Sequence, residues 1–128
     1  MSYVNPPTTV LGFLTGINLN ATGDNAISIR YSKYVLLGAY LYDFSTTPGA
    51  LTTATLRDAA SGGGNSLVGS LAALNGIATT ALGAHAIPTA SALGAVRQST
   101  ASTLYLNVSV ANGSALTCSV VLHGLAIP

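Results

Sequence analysis

The sequence predicts a single-domain, all-β sandwich preceded by an extended arm, and three observations predict it. Apolar residues recur at alternate positions in several stretches, which is the periodicity of a strand with one buried face. Gly, Pro and Asn punctuate those stretches at short intervals, as in sandwiches built of many short strands. At 128 residues the chain is long enough for one sizeable core and too short for two. The expected division is an arm at 1–20 and a sandwich at 21–128.

The arm is read from Asn5-Pro6-Pro7, whose prolines resist helix, followed by the scattered apolar residues Leu11, Phe13, Leu14 and Ile17. Such an arm can pack on its own domain or lie across a neighbour, and both remain open. The next stretch alternates Ile27, Ile29 and Tyr31 with Ser28, Arg30 and Ser32, the pattern of a half-exposed strand.

The strand from Tyr34 to Phe44 differs in having two apolar faces. Val35, Leu37, Ala39 and Leu41 form one, and Tyr34, Leu36, Tyr40, Tyr42 and Phe44 the other. The aliphatic face belongs in the core. The tyrosine-rich face wants a partner, because Tyr joins apolar area to a hydroxyl that tolerates water, or it is covered by the chain itself in a central strand. Tyr34, Tyr40, Tyr42 and Phe44, with Tyr3 and Val4 of the arm, are the candidate interface residues.

Pro48-Gly49 marks a turn, Leu51 to Leu56 a Thr-rich strand, and Gly62-Gly63-Gly64 a flexible loop. From Leu71 to Ala95 the chain carries little pattern. A short helix at "SLAALNG" and further strand both fit, with Pro88 as an interruption.

The chain closes with "STLYLNVSVANGSALTCSVVLHGLAIP", which reads as two alternating strands joined by a hairpin at Asn112-Gly113. A two-residue loop would put the two apolar sets on opposite faces. A three-residue loop, Asn112-Gly113-Ser114, pairs Val110 with Leu116, Val108 with Cys118, Leu106 with Val120 and Leu104 with Leu122, so that all eight point inward. Tyr105, Asn107, Ser109, Thr117, Ser119 and Val121 then form a neutral outer face.

Charge is the most informative part of the composition. The chain is 49% hydrophobic and 5% charged, with four basic and three acidic residues and a net charge of +1, against roughly 25% charged residues in ordinary soluble proteins. On a folded surface of about 6,000 Å² that leaves roughly one charge per 900 Å². Nucleic-acid binding is excluded, since no basic cluster exists to displace counterions. The surface is instead rich in Ser, Thr, Asn and Gly, which can be covered without the desolvation cost of charges. Burial in an assembly is the expected fate; a monomer with a neutral, hydroxyl-rich surface is the alternative.

Chemistry finds little support. Asp24, Asp43 and Asp58 are scattered and there is no Glu, so no carboxylate pair is expected. His85 and His123 lack ligand-spaced neighbours. Cys118 is alone and reads as a small buried hydrophobe rather than a reactive thiol. "SGGGNSLVGS" lacks the Gly-Lys-Ser/Thr ending of a phosphate loop and does not match G-x-S-x-G. Asn20, Asn107 and Asn112 begin formal glycosylation tripeptides, but the N-terminus has neither the basic nor the apolar region of a secretion signal, and no sugar is expected. "YVLLGAYLY" is half the length of a membrane span. No catalytic residue, cofactor, metal or membrane is therefore expected.

"GDNAISIRYSKYVLLGAYLYDFSTTPGALTTATLRDAASGGGNSLV" followed by "TLYLNVSVANGSALTCSVVLHG" resembles small virion proteins of tailed bacteriophages, of the kind that decorate or cement the head. The similarity runs from Gly23 to Gly124 in the order of its strand phrases and lapses between Asn75 and Arg97. It implies a jelly-roll sandwich present in many copies on a capsid exterior, made in the bacterial host cytoplasm, with no enzymatic role. The expected partners are a second or third copy of the chain and the major capsid protein. A tail or fibre-tip binding module is the alternative.

Overall fold

A computed structural model describes residues 9–46, 48, 52–64, 85–86 and 98–128. The expected helix or strand at 71–84 and 87–95 and the proximal arm at 1–8 lie outside those residues. The described strands are β1 (Thr9–Asn18), β2 (Gly23–Ser28), β3 (Tyr34–Tyr42), β4 (Thr53–Arg57), β5 (His85–Ala86), β6 (Gln98–Ser99), β7 (Thr103–Val110) and β8 (Thr117–Ala126). They form two antiparallel sheets. One runs β1-β8-β3-β5, with β6 also on β3, and the other runs β2-β7-β4. The fold is all-β and sandwich-like.

Alternation explains how each strand serves its sheet. Leu104, Leu106 and Val108 of β7, Ala54 and Leu56 of β4 and Ile27 of β2 are buried from one side. Leu11 and Ile17 of β1, Ala39 and Leu41 of β3, and Cys118, Val120 and Leu122 of β8 are buried from the other. These sets join in one core cluster. Full burial of each large aliphatic side chain contributes about 1.5–3 kcal/mol, which makes this cluster the main source of stability.

Residues 9–18 of the expected arm are a strand of the first sheet. β1 pairs along β8 from Thr9 opposite Gly124 to Asn18 opposite Thr117, with irregularities at Val10/Gly12 and Leu14/Ile17. Those irregularities shift the inward parity and hide the strand from a simple alternation test.

The expected closing hairpin is corrected. β7 pairs with β2 and β4, whereas β8 pairs with β1 and β3, so the two strands lie in opposite sheets. The inward sets still face each other, but across the core rather than along a ladder. Seven of the eight residues are buried and Val110 is 42% exposed. The turn chemistry survives in a different use: Gly113 has φ 88°, and 111–116 carry the chain from one sheet to the other.

Side chains fix that crossover. The Asn112 backbone N–H donates to the Leu19 carbonyl at 2.9 Å, the Leu19 backbone N–H to the Leu116 carbonyl at 2.9 Å, and the Gly113 backbone N–H to the side-chain Asn20 Oδ1 at 2.9 Å. Buried Thr52 donates its hydroxyl to Asn112 Oδ1 at 2.6 Å. Three sheet-to-sheet connections are thus tied together at one end of the sandwich, and a hairpin would forfeit these bonds.

Cys118 is buried as its strand position predicts, and burial, followed by the nearby Asp43 carboxylate, pushes its thiol up to about 12. Ellman's reagent is expected to label it stoichiometrically in urea and only at the rate of opening in the native protein. Rapid native labelling at mildly alkaline pH would place the thiol at the surface.

Candidate interaction surface

β1, β3 and β8 contain no Asp, Glu, Lys or Arg. Their outward side chains therefore form an uncharged face, and the register arranges it in rows. Phe13 of β1 stands opposite Val121 of β8, which stands opposite Tyr40 of β3. In the next row Val10 faces His123, which faces Gly38. Phe13 is 60% exposed, Val10 39% and Tyr40 38%.

Gly38 shapes this surface by what it lacks. A Cβ there would stand 2.7 Å from His123 Nε2, so the absent side chain lets the imidazole lie over β3. The His123 ring stacks on Tyr40 with centroids 4.8 Å apart and planes 22° from parallel. The pair makes a flat, semi-rigid shelf beside Phe13, and aromatic area held in place loses little entropy on being covered.

The outer face of the second sheet is different in kind. Asp24 on β2 accepts hydrogen bonds from Asn107 Nδ2 of β7 at 2.8 Å and from the Ser61 backbone N–H. Because β7 lies between β4 and β2, the glycine-rich loop after β4 spans β7 to reach Asp24. The loop read as flexible is anchored to β2 at Ser61, just before its three glycines. The Ser61 bond first and the Asn107 bond second hold the Asp24 carboxyl below its ordinary range. A carboxyl lowered on folding supports the fold at neutral pH, and that support disappears as pH falls through its folded value.

The expected interface residues divide. Tyr40 and Tyr42 lie on the uncharged outer face, exposed and half-buried respectively. Tyr34 and Phe44 are core residues. An irregularity between Leu36 and Gly38 reverses the parity of β3, so Tyr34 points inward with Ala39 and Leu41. Its hydroxyl donates to the Ala101 carbonyl at 2.8 Å, and burial raises its pKa. Asp43, with φ 58°, turns the chain and sends Phe44 into the core. Tyr3 and Val4 lie outside the described residues.

Sequence reasoning places Val121 on an outer face but misses Val10, Phe13 and His123 as its neighbours there. His123 is placed by the outward parity of β8, a signal present in the sequence. Val10 and Phe13 are concealed by the irregularities of β1. His85 pairs with Leu41 through β5. Among the described residues, no three His, Cys, Asp or Glu side chains are placed to hold a metal ion, and no helix is long and apolar enough to cross a membrane.

No family model, curated protein or solved structure matches the chain.

Proposed function

We propose that this chain is a structural virion protein that decorates and cements a bacteriophage head, bridging neighbouring major capsid subunits as a homodimer or homotrimer. The observation that carries this reading is the uncharged face of β1, β8 and β3, with Phe13, Val121 and Tyr40 in one row. A face of this kind gains by being covered, and its lack of charge removes the desolvation cost of covering it.

A jelly-roll assignment is part of the proposal and rests on strand order. Consecutive strands β1, β2, β3 and β4 alternate between sheets, as do β6, β7 and β8. The chain's last strand lies between β1 and β3, and its penultimate long strand between β2 and β4. Interleaving of early and late strands in both sheets is the double Greek-key pattern of jelly rolls. Among the described residues the exposed aromatics Phe13 and Tyr40 stand on strands rather than loop tips, which favours a flat seam contact over the fibre-tip alternative.

Cementing acts by mass action, because a protein that binds only the assembled shell stabilises it. Bridging makes each half-contact weak alone and strong together through effective concentration. The binding site then lies on the capsid exterior, and the protein is made in the host cytoplasm. The test is to mix the protein with stripped heads and with unassembled shell protein at low and high salt. Binding is expected on heads alone and is expected to persist at 1 M salt, where the Debye length falls to about 3 Å. Equal affinity for both targets would sink bridging, and release by salt would sink the neutral interface.

A further inference from the structure

We propose that Asn112 is a latent site of spontaneous deamidation, silenced by the fold through Asn20 and Thr52. The reaction needs the backbone nitrogen of Gly113 to attack Asn112 Cγ. A bond forms between that nitrogen and Cγ, the Cγ–Nδ2 bond breaks, and ammonia leaves carrying the proton displaced from the Gly113 nitrogen. Water then opens the cyclic imide to aspartate or isoaspartate. An Asn followed by Gly favours the step because no side chain on the next residue hinders the approach.

The folded geometry opposes each requirement. The attacking nitrogen is occupied, with its N–H donated to Asn20 Oδ1 at 2.9 Å. The carbonyl end of the Asn112 amide is held by the Thr52 hydroxyl at 2.6 Å. Its amide nitrogen donates to the Ser114 carbonyl at 3.0 Å and Oγ at 3.1 Å. Attack requires the reacting atoms to meet at about 3–3.5 Å in an aligned geometry. Rotating Cγ toward the Gly113 nitrogen must disrupt these bonds together, so the reaction waits on opening of the 111–116 crossover.

Conversion would also be hard to reverse structurally. An aspartate at 112 places a carboxylate oxygen against the Ser114 carbonyl where an N–H stood. Isoaspartate adds a backbone atom to the crossover that aligns Gly113 with Asn20. A molecule that has opened here long enough to react would close imperfectly. The inference stands apart from the proposed function and uses only the local bonds.

The full chain is incubated at mildly alkaline pH, natively and in urea, and the peptide carrying Asn112 is followed by mass and by isoaspartate content. Native wild type is expected to gain the roughly one-dalton increment at least about tenfold more slowly than the unfolded chain, the population of the open crossover setting the rate. Asn20→Ala and Thr52→Ala, confirmed folded by circular dichroism, are expected to react several-fold faster than native wild type. Asn20→Asp, which keeps an acceptor for Gly113, is expected to stay slow. Equal native and urea rates for wild type would overturn the proposal even if no variant folded. Folded alanine variants no faster than wild type would overturn it as well.

Discussion

Replacing Gly124 with alanine is expected to cost the free protein about 3 kcal/mol or more, at the upper end of overpacking effects and a large share of the 5–15 kcal/mol typical of a domain. Gly124 sits near the end of β8, opposite Leu36 of β3 and Thr9 of β1, on an interior strand of the larger sheet. A Cβ there would overlap the Val35 carbonyl oxygen and come within 3.0 Å of Leu11 Cδ1. The first obstacle is backbone, so relief requires moving β3 relative to β8, and the second is a fully buried core residue. Gly38→Ala supplies the contrast. There the obstacle is the half-buried His123 ring, which can swing toward solvent, so about 1 kcal/mol or less is expected, with loss of the stack on Tyr40. Urea titration of both variants decides the matter. Equal midpoints and slopes for Gly124→Ala and wild type would mean that β8 and β3 do not approach as closely as described.

The contrast shows which parts of the fold the sequence discloses. Alternation identifies apolar faces, and it assigned Ile27 of β2, Leu104, Leu106 and Val108 of β7, and Cys118, Val120 and Leu122 of β8 to the inside, where the structure buries them. It cannot name the neighbour of a strand. Leu104 to Val108 and Leu116 to Leu122 satisfy the same burial rule whether paired in a hairpin or facing across a sandwich, and Asn112-Gly113 suits either path. The bonds that decide for the crossover come from Leu19, Asn20 and Thr52, between 60 and 93 residues away along the chain for the side-chain bonds of Asn112 and Gly113. Parity is also fragile. One irregularity at Leu36/Gly38 turns Tyr34 inward, the turn at Asp43 does the same for Phe44, and two irregularities in β1 disguise Phe13 as part of an arm. The outward placement of Tyr40 and Tyr42 was therefore legible in the sequence, and the part of the uncharged face contributed by β1 was not.

That concealed half makes the sharpest prediction about assembly. Phe13→Asp is expected to weaken binding to stripped heads by about 30-fold or more, as loss of a central aromatic anchor costs about 2–4 kcal/mol and each 1.4 kcal/mol is tenfold. The substitution adds the cost of burying an unpaired carboxylate against a neutral partner. The folded chain itself should tolerate it, because Phe13 is 60% exposed and surface changes stay within about 0.5 kcal/mol. Phe13→Ser separates the two contributions by deleting the ring without adding charge. Val110→Asp is the control, also apolar and 42% exposed but at the end of β7 in the other sheet. Wild-type binding by Phe13→Asp together with loss in Val110→Asp would move the contact away from the β1-β8-β3 face. If the face is the contact, the loss should also exceed that of one half-contact. In a bridging oligomer every copy carries the defect, so the weakened terms multiply through effective concentration and occupancy falls more steeply than the affinity of a single protomer. A monomeric or singly attached protein would show the single-site loss alone, so the size of the effect reports the bridge as well as the face.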